Sequence, residues 1–168
     1  MKEIYFAGGC FWGTEHYFKQ VRGVIATEVG YANGNTNSPT YEQVYTDTTG
    51  YAETVKIVYD ENVVNFKLLV ELFFLSIDPT SLNRQGNDFG TRYRTGIYYT
   101  NEEDIQIIRE VYTNIERKHN EPLVVEVEPL KCFHAAEEYH QDYLDKNPRG
   151  YCHLPLELMI MAREVNKK

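Results

Sequence analysis

A chain of 168 residues, 42% hydrophobic and 25% charged, fits one domain that buries its own core without staples. Its formal net charge of −8 repels phosphate backbones and sets nucleic acid aside as a partner. No apolar run approaches the length of a membrane span, and Met1-Lys2-Glu3-Ile4-Tyr5-Phe6 lacks the marks of a secretory signal, so the expected location is cytoplasmic, with no membrane partner.

Residues 4–7, stopped by Gly8-Gly9, read as a buried strand closed by a turn. Residues 11–21 carry Phe11, Phe18 and Val21 in a helical pattern. Residues 24–32 are extended and lead into a loop of turn formers at 33–39. Residues 54–59 alternate, with Val55, Ile57 and Tyr59 on one side, which predicts a strand. Leu68, Leu69, Leu72 and Phe73 give residues 66–77 helical spacing, ended by Asp78-Pro79. A strand at 95–99 precedes a helix with a capping-box pattern at Thr100 and Glu103 and a stripe of Ile105, Ile108, Val111, Tyr112 and Ile115. Beyond it the chain predicts an extended segment at 123–127, a helix over 135–145 and an amphipathic helix over 156–165. Strands and helices alternate without repeated parallel crossovers, so the expected fold class is α+β, a mixed β-sheet with packed helices.

The three cysteines, Cys10, Cys132 and Cys152, form no CxxC pair and are too few and too far apart for a disulfide scaffold. Each is a buried hydrophobe, a reactive thiol or a metal ligand. Cys10 sits where a strand passes through two glycines into a helix, in Gly8-Gly9-Cys10-Phe11-Trp12-Gly13. Free backbone N–H groups and the helix dipole at such a start favour a thiolate, and glycines let the backbone approach a ligand. A buried cysteine at a tight turn fits the same pattern, so the local sequence leaves both readings open. The 14 Tyr and 8 Phe fill the core in the main, and some can line a site for an apolar, polarisable ligand.

Gly9-Cys10-Phe11-Trp12-Gly13, continuing as Thr14-Glu15, resembles the active-site signature of class A peptide methionine sulfoxide reductases. Further blocks follow in the family's order: Gly30-Tyr31-Ala32, Pro39-Thr40-Tyr41-Glu42-Gln43-Val44, Gly50-Tyr51-Ala52-Glu53 and Asp78-Pro79-Thr80. After them come Asn83-Arg84-Gln85-Gly86-Asn87-Asp88, Gly90-Thr91-Arg92-Tyr93-Arg94, Glu138-Tyr139-His140-Gln141 and Asn147-Pro148-Arg149-Gly150-Tyr151-Cys152. The resemblance runs from residue 4 to residue 152. It implies a two-layer, ferredoxin-like core and a single catalytic domain over 1–168, with residues 146–168 as a tail and helix carrying a candidate resolving cysteine.

The chemistry implied is attack by the Cys10 thiolate on the sulfur of a methionine-S-sulfoxide, free or in proteins. The oxygen leaves as water, which needs an acid. By resemblance Glu53 is that acid, Tyr41 and Tyr93 bond the sulfoxide oxygen, and Phe11 and Trp12 receive the methyl group. Asp88 and Tyr151 complete the substrate site. Taken alone, Glu53 reads as a solvated strand residue, the two tyrosines and the Phe11-Trp12 pair as core packing, and Asp88 as a turn residue. The sulfenic acid left on Cys10 condenses with a second thiol, Cys152 by resemblance, and thioredoxin reduces the disulfide. No cofactor or metal is called for.

Three departures stand out. His153-Leu154-Pro155-Leu156 replaces a glycine-rich tail with a further cysteine, Cys132 has no counterpart role, and Ile77 stands where relatives often carry a histidine. Two other classes remain open on residues alone. Cys132, His134, His140, Cys152 and His153 have zinc-ligand chemistry at no common zinc spacing. A thiol peroxidase or redox sensor would also use Cys10, with peroxide as its oxidant.

Overall fold

Alternation along the first strand turns Ile4 and Phe6 to one face and Tyr5 and Ala7 to the other, and both faces are covered. In the computed structural model, which describes residues 1–167, this segment is β1 (Lys2–Gly8) at the middle of the sheet. The chain continues as α1 (Phe11–Lys19), β2 (Val24–Ala32), α2 (Tyr41–Tyr45), β3 (Ala52–Tyr59) and α3 (Phe66–Leu75). A small hairpin, β4 (Arg84–Gln85) and β5 (Asp88–Phe89), leads through a 3₁₀ turn at Thr91–Tyr93 into β6 (Thr95–Tyr99) and α4 (Glu103–Glu116). Then come β7 (Glu126–Pro129), β8 (Phe133–Ala135), a 3₁₀ turn at Glu138–His140, α5 (Tyr143–Lys146) and α6 (Leu156–Glu164).

Six strands form one mixed sheet in the order β7-β6-β1-β3-β2-β8, all neighbours antiparallel except β6 and β7. The run β1-α1-β2-β3-α3-β6, with inner order β6-β1-β3-β2, is the β-α-β-β-α-β arrangement of ferredoxin-like folds. Phe6 is the hinge of the main core, stacked on Phe73 of α3 at 4.8 Å and tilted on Phe18 of α1 at 5.1 Å between ring centroids. Among the described residues no helix is long and apolar enough to cross a membrane.

Several expected elements change. Residues 135–145 do not form one helix, because the edge of β2 competes for them. Ala135 pairs with Gly30 in β8, and the Ala136 amide donates to the Val29 carbonyl. Gln141 then uses its side chain as a third strand: it accepts from the Val29 amide and donates to the Val29 carbonyl, both at 2.9 Å. Asp142 follows in the left-handed region at φ 52°, which restarts the chain as α5. Thr100 does not cap α4; the Asn101 side chain accepts from the Glu103 amide instead, at 3.1 Å. The extended segment expected at 123–127 pairs only from Glu126 onward. A capping box forms at Thr40 and Gln43, starting the unforeseen α2.

Candidate active site

Gly9, at φ 91°, turns β1 into α1 and leaves Cys10 as the residue before the first helical turn. Ile77 packs beneath this turn on Gly8, and Gln85 on Gly9. Cys10 is 6% exposed. Burial, then the neighbouring Glu53 and Asp88 carboxylates, push its thiol well above the ordinary range, while the Trp12 and Gly13 amides pull the other way. The helix start alone predicts a thiolate; burial outweighs it here.

Glu53 lies on β3 in phase with Val55, Ile57 and Tyr59, so it points into the helix layer and is 1% exposed. The Phe11 amide donates to its Oε1 at 3.1 Å, and Oε2 has no partner among the described residues. Desolvation raises its pKa to about 8, against the smaller opposing effects of that amide and of Arg92. The cysteine and the carboxyl are thus held together through a single peptide, the one that begins α1.

Tyr41 opens α2 and Tyr93 closes the 3₁₀ turn after β5. Burial first, then the charges of Glu53 and Cys10, raise the pKa of both phenols, so both remain O–H donors. Glu137 fixes the first of them by accepting the Tyr31 hydroxyl at 2.9 Å and the Tyr41 amide at 3.2 Å. Arg92 fixes the second: its guanidinium lies 4.2 Å from the Tyr45 ring centre and 4.4 Å from that of Tyr93, and it pairs with Asp47.

Phe11 and Trp12 form an aromatic group with His140. The Trp12 indole N–H donates to His140 Nδ1 at 3.0 Å, and Tyr41 and Phe11 lie 4.4 Å and 5.3 Å from the same imidazole. Tyr143 packs on Trp12 from outside at 3.8 Å. Burial lowers the pKa of His140, against the opposing charges of Glu137 and Glu42. Across the site, the Tyr151 hydroxyl donates to Asp88 at 3.0 Å, tying the C-terminal tail to the β4-β5 hairpin.

The same tail brings Cys152 to α1. A Cβ on Gly13 would lie 3.3 Å from the Cys152 sulfur, one helical turn from Cys10. Cys132 is elsewhere, beside Tyr51, with its amide donating to Asn33. All three thiols are free. The ligand set of the zinc reading is scattered: His134 packs on Tyr51, His140 under Trp12 and His153 on Gly8. Among the described residues no group of three or more His, Cys, Asp or Glu is arranged to hold a metal ion.

Sequence reasoning missed His140 as the ring on which Trp12, Phe11 and Tyr41 pack, and Glu137, Arg92 and Asp47 as the groups that position the tyrosines. The phase of β3 was a usable signal for Glu53, since Val55, Ile57 and Tyr59 already defined the buried face.

The family model described as "Peptide methionine sulfoxide reductase" matches residues 2–168. Peptide methionine sulfoxide reductase MsrA of Clostridium acetobutylicum is 57% identical over 159 residues, covering 95% of this chain and 98% of the relative. Among solved structures, Mxr1 from Saccharomyces cerevisiae in reduced form matches with a TM-score of 0.85 at 38% identity, over 90% of this chain and 88% of that one. Mxr1 in complex with Trx2 matches at 0.60 and 25% identity, over 84% of each chain.

Proposed function

Because the chain belongs to the peptide methionine sulfoxide reductase family, we propose that Cys10, Glu53, Tyr41 and Tyr93 carry the reduction of methionine-S-sulfoxide. The Cys10 sulfur attacks the sulfoxide sulfur, and an S–S bond forms between enzyme and substrate. The oxygen takes protons from the Cys10 thiol and from Glu53, steadied by the two tyrosine hydroxyls, and leaves as water. Water then attacks the Cys10 sulfur: an S–O bond forms there as the S–S bond to the substrate breaks, methionine leaves, and the proton lost by the water returns to the Glu53 carboxylate. One oxygen has moved, and Cys10 is a sulfenic acid.

The observation that carries this reading is the buried Glu53 carboxyl, bonded to the amide next to Cys10 and with its pKa pushed up to about 8 by burial. Trp12, only partly buried, offers the methyl group an apolar wall backed by the buried Phe11, while Asp88 and Tyr151 close the site from the side of the tail. Cys152 resolves the sulfenic acid, and thioredoxin reduces the disulfide by exchange. The Mxr1–Trx2 complex of a relative supports that reductant. Three free thiols suit work in a reducing compartment, the cytoplasm.

An epimer-resolved assay tests the assignment. Wild type reduces S-methionine sulfoxide, and Cys10→Ala does not. Activity confined to the R form, or surviving in Cys10→Ala, would refute it. Turnover on peroxide equal to that on sulfoxide would favour a thiol peroxidase.

A further inference from the structure

His153, the residue after the candidate resolving thiol, occupies the space left by two glycines of the Cys10 turn. A Cβ on Gly13 would lie 2.7 Å from its Nδ1, and one on Gly9 would lie 3.2 Å from its Nε2. The ring therefore reaches along the turn that holds Cys10, and the Cys152 sulfur abuts the same face of Gly13. Nε2 lies 3.0 Å from the Gly8 carbonyl oxygen. A carbonyl only accepts, so Nε2 carries the proton and Nδ1 is bare. That Nδ1 is buried and has no hydrogen-bond partner among the described residues. A buried acceptor left unpaired is costly, and nothing in the sulfoxide chemistry above uses it.

Cys152 supplies the complementary need. Its half-buried thiol donates to the Leu154 carbonyl at 3.4 Å, and burial pushes its pKa above the ordinary range. A neutral thiol is a poor nucleophile; it must lose its proton as it attacks.

Building on the reading of Cys152 as the resolving thiol, we propose that His153 is the general base of the resolving step, its Nδ1 receiving the Cys152 proton. The S–H bond of Cys152 breaks, an S–S bond to Cys10 forms, and the S–O bond of the sulfenic acid breaks. The departing hydroxide takes the proton from the imidazolium and leaves as water, which restores the neutral ring. The sulfenic oxygen is the only oxidant required. Asp88 favours the transient imidazolium, while burial favours the neutral resting form.

The test is a single-turnover experiment on the full chain with methionine sulfoxide, following methionine release, sulfenic acid trapped by dimedone, and disulfide. His153→Gln keeps a donor for the Gly8 carbonyl and removes the base. It should slow disulfide formation at least about tenfold more than methionine release, with trapped sulfenic acid accumulating. His153→Asn gives the same comparison if the glutamine variant does not fold. Equal slowing of both steps would make His153 a packing residue and overturn the proposal, as would disulfide formation at the wild-type rate. Cys152→Ser separates the premise: a disulfide still formed there moves the resolving role to Cys132 and removes the basis for His153 as well.

Discussion

At the scale of single residues, the site depends on one carboxyl being kept out of water. Burial raises Glu53 from an ordinary 4.5 to about 8, so the folded protein binds this proton more tightly than the unfolded chain. The associated stability is fully present below about 4.5 and is lost as pH rises through about 8. The proposed acid disappears over the same upper limb, so methionine release in a single turnover should fall as pH passes through about 8. Glu53→Gln should abolish that limb and slow the step by about 10²–10⁴-fold. Because the Glu53 charge helps to hold the Cys10 thiol up, the same variant should lower the thiol pKa, read from the pH dependence of Cys10 alkylation. A falling limb unchanged in Glu53→Gln would assign it to another group. Cys10 itself was legible as a residue at a helix start, yet its protonation was not, since burial and Glu53 act across space.

At the scale of elements, the two tyrosines proposed to bind the sulfoxide oxygen ride on the least regular parts of the chain. Tyr41 heads a helix of five residues, and Tyr93 ends a turn of three. Neither segment is stiff alone, so groups outside them hold them: Glu137, from the segment after β8, holds the start of α2, and Asp47 holds the turn through Arg92. Arg92 is 8% exposed, and a buried guanidinium deprived of its carboxylate loses the charge that pairs with it. Asp47→Asn tolerates the left-handed backbone at φ 59° while removing the charge. Chemical denaturation should show a loss of about 1–3 kcal/mol, and kcat should fall as Tyr93 loosens. Retention of both would show that the stacking of Arg92 on Tyr45 and Tyr93 suffices. The helix expected over 135–145 failed at this same scale. Its sequence is helical by composition, but the open edge of β2 offers Ala135, Ala136 and Gln141 hydrogen bonds that a helix would forgo.

At the scale of the whole molecule, the tail after α5 closes the site by linking Tyr151 to the β4-β5 hairpin and setting Cys152 and His153 against α1. If that contact is how the thiol is recycled, Cys152→Ser should still reduce one sulfoxide per enzyme and turn over with dithiothreitol. It should lose turnover driven by thioredoxin; full thioredoxin turnover would assign the recycling elsewhere. The sequence by itself determined the strand-glycine-helix setting of Cys10, the α+β class and the order of the main elements. Those features rest on local spacing, on glycine's freedom and on the periodicity of apolar residues. It also carried the family, through blocks whose order survives as text. Only the tertiary structure decided the protonation of Cys10 and Glu53, the partners of the tyrosines, and the approach of residues 152 and 153 to residues 9 and 13. Burial, through-space charge and packing between distant segments set those properties, and none of them follows from local sequence spacing.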